Sequence, residues 1–467
     1  MARADRDLEA AIAATRFGLG ARAGEIAETR GDPQGFLRAQ IRPQGADQPA
    51  ADGESAAHRI AELRDLRGAR KPGGAAAAGD EPDPVKTAQR LLRENTARDF
   101  LARVQLAATT EAGFRERWTL FWANHFTVSA NKLVTATVVG PFEAEAIRPH
   151  VFGSFETLLA AAETHPAMLL YLDQVQSVGP NSRAASYLQR RGGATRRQVG
   201  LNENLAREIL ELHTVGVDGG YTQADVTEFA RAMTGLSIGG AREGPGMAGV
   251  PLFREAAHEP GARTVMGVRY VQDGEEQAAA ILADLAARPQ TARFVCAKIA
   301  RHFVADEPPP ALVARLERTW LDTGGRLDRV AETLIAAPEA WAPDAAKFKT
   351  PYEFMVSAWR AAGGAPRQVQ HVTPALNSLG QKPFSPPSPE GWPDDAATWA
   401  APDAVVKRMT WAQAFAEAVT AGRDPSALAA EALGARLSPR AATAIARAES
   451  REEGFALALM SPEFQRR

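Results

Sequence analysis

The chain has 467 residues, more than one compact core normally requires, which favours one large domain or two modest ones. Its 45% hydrophobic and 24% charged residues are typical of a folded globular protein. The 54 basic and 56 acidic residues give a net charge of −2, without the basic excess that usually marks a nucleic-acid-binding protein. We therefore expect no nucleic-acid partner.

The single cysteine and the termini bear on where the protein works. Cys296 cannot form an intramolecular disulfide, and it lies in an apolar run typical of a core position. No apolar stretch approaches the roughly 20 residues that a membrane span requires, so we expect no span. Residues 1–20 place acidic residues among alanines and show no export-signal pattern. The chain as written is therefore expected to stay in the cytoplasm.

Apolar residues recur at spacings of three and four along most of the chain, which is typical of amphipathic helices. The longest such pattern runs from about residue 85 to 109. Further helices are expected near residues 8–16, 55–67, 201–214, 222–234, 274–287, 291–304, 311–322, 327–336, 351–362, 403–420 and 425–447. The pattern predicts an all-α fold, a large multi-helix body with helix content far above the usual third.

Three segments interrupt this pattern. Residues 68–84, rich in Gly, Ala, Pro and Asp, predict a flexible linker or insertion between an N-terminal helical segment, 1–67, and a main helical body, 85–467. A small β-hairpin excursion is expected near 250–271, where short β-like runs lie between Gly and Pro residues. Residues 380–402 form a Pro-rich loop, which we expect its tryptophans to pin to the body.

Some short motifs match known signatures in spelling only. The G-x-S-x-G spelling around Ser237 belongs to a serine-hydrolase elbow, which requires a strand before the serine and a helix after it. Here a helix precedes the motif and a Gly-rich loop follows it, which argues against a nucleophile. Gly18-Leu-Gly20 lacks the strand and spacing of a dinucleotide site. Thr222 and Asp225 resemble a helix capping box.

The segment from Asn202 to His213 is the most informative for function. At about 100° per residue, one helix face carries four polar side chains: Asn204, Arg207, Glu208 and Glu211. His213 lies roughly opposite this face unless the helix distorts. Two carboxylates three residues apart can hold a divalent metal or divide an acid and a base role. The structural alternative is an Arg207–Glu211 ion pair, with Glu208 paired to another arginine.

Other polar residues stand among apolar ones. Asn124 and His125 lie in an aromatic run, so each must find hydrogen bonds if it is buried. His125 is a base, a ligand or a satisfied core histidine. His165 opens a short apolar helix and can be a simple cap, whereas His258 lies in the predicted hairpin. His302 follows an arginine in an apolar helix and is interpreted as structural.

These segments make the chain similar to a known family. It resembles the bacterial family called domain of unknown function eighteen-hundred through segments that follow one another along nearly the whole chain: 16–20, 117–126, 165–173, 202–213, 216–225, 234–235, His258 and 380–392. Glu259 replaces the aspartate usual after His258. The resemblance carries over no catalytic residues. It implies that relatives are often exported and often encoded beside a sulfatase-like family, so a protein partner of that kind is an expectation.

Two functions are compatible with these observations. The first is a hydrolase- or lyase-like enzyme, with metal-assisted catalysis as one option. Its four catalytic candidates are Glu208, Glu211, His125 and His165. Its polar pocket would add Asn124, Asn202, Asn204, Arg207, His213, Tyr221 and His258. The cofactor stays open, a divalent metal being one option. The second is a non-catalytic binding or assembly partner of an envelope or sulfatase-like protein.

Geometry can separate the two functions. An enzyme should gather Glu208, Glu211 and at least one of His125, His165 and His258 around one open cleft. A scaffold should pair each carboxylate with an arginine and seal it from solvent.

Overall fold

The structure, a computed structural model, describes residues 3–51, 53–68, 84–190, 200–240, 243–244, 246–419 and 422–467. Helix makes up 62% of it, which confirms the all-α expectation. The greater part of the expected linker, residues 69–83, lies outside the described residues. Within the described ranges, no helix has both the length and the apolar character needed to cross a bilayer.

Twenty-four α-helices make up most of the described chain. In chain order they are α1 (Arg3–Ile12), α2 (Glu25–Thr29), α3 (Pro33–Arg38), α4 (Ala56–Gly68), α5 (Pro84–Thr109), α6 (Gly113–His125), α7 (Leu133–Phe142), α8 (Phe155–Glu163), α9 (Pro166–Tyr171), α10 (Arg183–Arg190), α11 (Asn204–Glu208), α12 (Gln223–Met233), α13 (Glu275–Ala287), α14 (Pro289–Phe303), α15 (Pro310–Thr323), α16 (Leu327–Ala336), α17 (Pro351–Ala361), α18 (Thr373–Ser378), α19 (Ala396–Trp399), α20 (Pro402–Val419), α21 (Pro425–Leu433), α22 (Pro439–Ala446), α23 (Arg451–Met460) and α24 (Pro462–Gln465). Three of them continue as π-helical turns: Ala13–Phe17 after α1, Glu143–Ile147 after α7 and Ile209–His213 after α11.

Helix starts follow local capping chemistry. The expected capping box is present at α12, where the Thr222 side chain accepts a hydrogen bond from the Asp225 N–H and Asp225 accepts one from the Thr222 N–H. Several other helices begin with proline in the first turn, where its missing N–H costs no hydrogen bond.

Two small antiparallel ribbons stand where one hairpin was expected. In the first, β1 (Leu236–Ile238) pairs with β2 (Pro251–Phe253), so the β structure starts before residue 250. In the second, β3 (Arg263–Val265) and β4 (Val268–Tyr270) form a tight hairpin, whose turn residues Met266 and Gly267 both have positive φ, as a type I′ turn requires.

Ser237 has none of the surroundings of a hydrolase elbow. It lies inside β1 opposite Leu252, and its hydroxyl accepts a hydrogen bond from Arg254 Nε at 3.1 Å. The strand runs on into a loop, whereas the elbow turns from a strand directly into a helix.

Helix α6 runs through the main hydrophobic core. Trp118 and Trp122 are fully buried in it among aromatic residues from neighbouring helices. The charged residues of α6 are buried too, and each is paired, since an unpaired buried charge is too costly. Among them, Glu116 meets Arg148 at 2.8 Å and Arg117 meets Glu353. The core thereby fixes the position of the last turn of α6.

A second, smaller core joins the C-terminal helices α20 to α24 to α17. Its members include Phe354, Phe415 and Phe455. The Pro-rich loop lies between α18 and α20 and contains only the short helix α19. Trp399 donates its ring N–H to the Pro393 carbonyl at 2.8 Å, which holds the loop in one shape.

Candidate functional site

A cleft of about 590 Å³ opens between the C-terminal turns of α6 and α14 and the Pro-rich loop. We call it the α6–α14 cleft. Two helices, residues 387–398 of the loop and Asp306 just after α14 form its walls. The helices contribute Phe121, Asn124 and His125 from α6 and Lys298, Arg301 and His302 from α14. Lys298 and His302 are four residues apart and therefore share a face of α14.

His125 is buried at the end of α6, with one ring nitrogen engaged. Its Nε2 lies 3.1 Å from the carbonyl oxygen of His213. Burial, followed by the charges of Lys298 and His213, lowers the pKa of His125 well below its ordinary value. The ring is therefore neutral at pH 7, and Nε2–H donates to the carbonyl. Nδ1 is left as an acceptor, with no protein partner among the described residues.

His302 forms a dyad with Asp394 of the loop. Nδ1 of His302 lies 2.7 Å from Oδ2 of Asp394. Burial lowers the pKa of His302, so the neutral ring donates Nδ1–H to the carboxylate. Burial opposes ionisation of Asp394, but His302, Arg467 and Lys347 together lower its pKa. The carboxylate thus fixes the tautomer of His302 and leaves Nε2 unprotonated, without a hydrogen-bond partner in the described part of the chain.

Lys298 lies one helical turn before His302. Burial lowers the pKa of its ammonium to about 8, and Arg301 adds to this while Glu390 of the loop opposes it. No carboxylate within 4 Å pairs with Lys298 in the ranges that the structure describes. Near neutral pH the side chain can therefore exchange between the ammonium and the free amine, the form that acts as base or nucleophile.

Asn124 joins the cleft wall to the loop. Its side-chain amide donates to the Trp392 carbonyl at 3.0 Å and accepts the Trp392 N–H at 2.8 Å. Gly391 packs so closely that a Cβ there would lie 2.5 Å from the Asn124 carbonyl oxygen, and its φ is +94°. The predicted binding residue Asn124 therefore positions the loop, and its own hydrogen-bonding groups are occupied.

The Asn202–His213 segment lies behind His125, and the helix there does distort. Helix α11 ends at Glu208 and a π-helical turn follows to His213, a feature often found at functional sites. His213 is fully buried, and its Nδ1 lies 2.7 Å from Oε1 of Glu163, which is equally buried. The backbone of His213 thus orients His125 while its side chain reaches the end of α8.

Glu208 and Glu211 have different partners. Burial raises the pKa of the half-buried Glu208 carboxyl, an effect that the charge of His213 counteracts. Glu211 accepts a hydrogen bond from the hydroxyl of Tyr221 at 3.1 Å. Neither carboxylate pairs with an arginine within 4 Å in the described ranges, because Arg207 is engaged elsewhere, with Glu203 and Gln223. Neither lines the α6–α14 cleft.

Other candidates serve local structure. His165 caps α9 by accepting the Ala167 N–H at 3.1 Å, while its Nε2 lies 2.9 Å from Glu145. His258 contacts the Thr234 carbonyl through Nδ1 at 2.8 Å.

The asparagines at the start of α11 also serve local structure through their hydrogen bonds. Asn202 donates to two carbonyls before α11 and accepts the N–H of Asn204, which is itself exposed. None of these residues lies on the cleft wall.

Sequence reasoning did not single out Glu163, Lys298 or Asp394, and it interpreted His302 as structural. The only available signal was the spacing of Lys298 and His302 on one face of an apolar helix. Metal-type ligands gather elsewhere: the one group of three found among the described residues is Glu54, His58 and Glu62, two of them exposed.

The fold and the cleft define a mainly helical protein with a pocket lined by titratable side chains, at the place where two helices end against a Pro-rich loop. The chain belongs to the family described as "Protein of unknown function (DUF1800)", which matches residues 12–466 and confirms the resemblance seen in the sequence. No curated protein and no solved structure matches the chain.

Proposed function

We propose that the protein is a hydrolase- or lyase-like enzyme that uses acid–base catalysis in the α6–α14 cleft. The observation that carries this proposal is the His302–Asp394 dyad on the cleft wall. A carboxylate that fixes one nitrogen of a neutral imidazole leaves the other free to take a proton from a substrate or a water. His302 is the general base in this proposal, and Asp394 positions it.

The unpaired ring nitrogens support a functional role over a structural one. A buried polar atom without a partner costs about 1–3 kcal/mol. Within the described residues such atoms also occur away from the cleft, for example His213 Nε2 and Trp122 Nε1. His302 Nε2 and His125 Nδ1 are two such atoms, and both residues line one cleft. A bound substrate that hydrogen-bonds to them would remove this cost, which favours binding there.

The carboxylates of the Asn202–His213 segment have a supporting role in this proposal. Glu208 lies near the charge of His213, and the backbone of His213 holds His125. A divalent metal remains part of the proposal as an option only, since the candidate acids do not join a group of three metal-type ligands within the described residues.

The test compares His302→Gln with wild type. Chromogenic carboxylic, phosphate, sulfate and glycosidic esters serve as a first panel, and turnover and the free energy of unfolding are measured on the same samples. We expect turnover to fall by about 10²–10⁴-fold, since that is what a general base contributes, with stability kept within about 1 kcal/mol. His371→Gln is the matched control, because His371 is exposed and does not line the cleft.

A non-catalytic role is the second candidate. Asp394 also pairs with Lys347 at 3.2 Å and with Arg467 at 3.4 Å, so the dyad is part of an ionic network that ties the loop to the body. A binding partner of sulfatase-like type is the corresponding proposal. A panel without turnover, together with a loss of several kcal/mol in His302→Gln, would favour this scaffold over the enzyme.

A further inference from the structure

Lys298 lines the cleft and lacks an acidic partner in the described part of the chain, a feature that it shares with the buried Lys349, which does not line the cleft. Lys132, Lys347 and Lys407 each have a carboxylate oxygen within 3.2 Å. Lys298 has none within 4 Å among the residues described, although it faces a cleft that contains Glu390. Its Nζ instead lies 5.4 Å from the ring centre of Phe294. An ammonium without a counter-ion in a partly enclosed site loses its proton more easily than one in water.

The groups around Lys298 suit the chemistry of an amine nucleophile. His302 lies one turn away on the same helix face, and His125 faces it from α6. Each histidine has one nitrogen without a protein partner in the described ranges, so each can accept or return a proton. Enzymes that form imines use a lysine in such a desolvated setting, with a proton-transfer group beside it.

We propose that Lys298 forms a Schiff base with a carbonyl substrate that carries a carboxylate, a 2-oxo acid in its simplest form. This inference rests on the proposed function, since it assumes that the α6–α14 cleft is where substrate binds. The carboxylate has a natural partner in Arg301, whose guanidinium forms no ion pair within 4 Å in the described part of the chain and lies on the cleft wall. Arginine recognises a carboxylate in a two-point geometry.

The covalent step balances with groups in the cleft. The free amine of Lys298 attacks the carbonyl carbon, a C–N bond forms, and the carbonyl electron pair moves to oxygen. One proton passes from nitrogen to that oxygen. A second is the proton that a neutral histidine of the cleft took from the Lys298 ammonium when the free amine formed, and its return lets water leave and a protonated imine remain. The positive nitrogen then draws electrons from the neighbouring carbon, which weakens a C–H or C–C bond there. That outcome is a lyase-type reaction.

Reductive trapping tests this inference without knowledge of the natural substrate. The full chain is incubated with pyruvate or glycolaldehyde at pH 7.5, reduced with borohydride and mapped by peptide mass spectrometry. With a pKa of about 8, the free-amine fraction of Lys298 exceeds that of an ordinary lysine on the order of a hundredfold. We therefore expect the reduced adduct at Lys298 to exceed that at Lys407 by at least about tenfold, and to be absent from Lys298→Arg.

Each outcome decides one point. Arg301→Gln should reduce the pyruvate adduct and leave the glycolaldehyde adduct unchanged; equal loss of both would remove the carboxylate from the substrate class. Adducts spread evenly over all lysines with both probes would overturn the Schiff base. If the adducts are unselective but His302→Gln loses turnover, the Schiff base is wrong and acid–base catalysis in the cleft still stands. If the adduct forms selectively while His302→Gln turns over normally, the Schiff base survives and the assigned general base is wrong.

Discussion

Replacing Lys298 with methionine distinguishes a lysine whose buried ammonium lowers stability from a lysine that stabilises the fold through an ion pair. Methionine keeps an unbranched apolar side chain and removes the amine. Burial lowers the pKa of Lys298 from 10.5 to about 8. That shift corresponds to about 3.4 kcal/mol at 1.36 kcal/mol per unit. Because the side chain is partly exposed and solvent screens it, we expect Lys298→Met to stabilise the protein at pH 7 by about 1–2 kcal/mol.

The direction of the pKa shift determines how the stability difference between Lys298→Met and wild type changes with pH. The folded-state pKa lies below the unfolded value, so between about pH 8 and 10.5 the unfolded chain binds more protons and the wild type gains stability as pH rises. The advantage of Lys298→Met should therefore be complete below pH 8 and shrink towards pH 10. The titratable groups around Lys298 are Glu390 from the loop, Arg301 and His302 from α14 and His125 from α6, with Asp306, Asp394 and Asp395 also on the cleft wall.

Urea denaturation at pH 7 and pH 9.5 measures both effects. The matched control is Lys407→Met, where an exposed lysine pairs with Asp403 at 3.2 Å and a change within about 0.5 kcal/mol is expected. A loss of stability in Lys298→Met, or a gain that does not depend on pH, would refute the reasoning, because either result means that the ammonium has a stabilising partner.

Two further substitutions test the frame of the cleft. Gly391→Ala should destabilise the protein by about 1–3 kcal/mol or more in chemical denaturation, since a positive φ and a Cβ placed 2.5 Å from the Asn124 carbonyl both oppose it; a neutral result would mean that the loop is not held there. Arg148→Met should cost about 3–5 kcal/mol, because Glu116 and Glu143 lose their shared partner. The surface pair of Arg326 with Asp328 supplies the control, and Arg326→Met should change stability by less than about 1 kcal/mol.

The helical body could be predicted from sequence because its signals are local. Apolar periodicity gave residues 327–336 for α16 and 85–109 for α5, against Leu327–Ala336 and Pro84–Thr109 in the structure. The capping box of α12 was equally readable, since its two side chains lie three residues apart. The β segment was placed less well, because a long Gly-rich loop separates β1 from β2, so that their pairing leaves no local pattern in the sequence.

The site could be predicted only where local pattern sufficed. His125 and the Pro-rich loop were identified and do line the cleft. The contacts that give the cleft its chemistry span long stretches of chain: 92 residues separate His302 from Asp394, and 88 separate His125 from His213. Nothing in the sequence near His302 indicates such a partner. The π-helical turn that ends at His213 is a further limit, since a regular helix would turn its side chain away from Glu208.

Glu208→Gln tests the remaining carboxylate of that segment. If Glu208 formed an ion pair, this change would destabilise the protein. In the structure, however, Glu208 has no arginine within 4 Å among the described residues. Burial raises its pKa, with the charges of Glu211 and Glu163 adding to the effect and those of His213 and Arg207 opposing it. A raised folded-state pKa means that the folded protein binds more protons than the unfolded chain above pH 4.5, so the charged carboxylate costs stability at pH 7. Glu208→Gln should therefore be at least as stable as wild type at pH 7, with the difference closing as pH falls towards 4.5.

Glu203→Gln is the matched control, because Glu203 precedes the same helix and accepts hydrogen bonds from Thr227, Gln223 and Arg207. Those bonds lower the pKa of Glu203, so its stabilising effect is present at pH 7 and is lost as pH falls through the lowered pKa. The two variants should thus shift stability in opposite directions at pH 7 in the same denaturation experiment. A second readout is Tyr171, whose pKa burial and the charge of Glu208 raise to about 12 and which should titrate lower in Glu208→Gln. If Glu208→Gln loses as much stability as Glu203→Gln and the Tyr171 titration does not move, Glu208 belongs to a structural pair and has no place in the site.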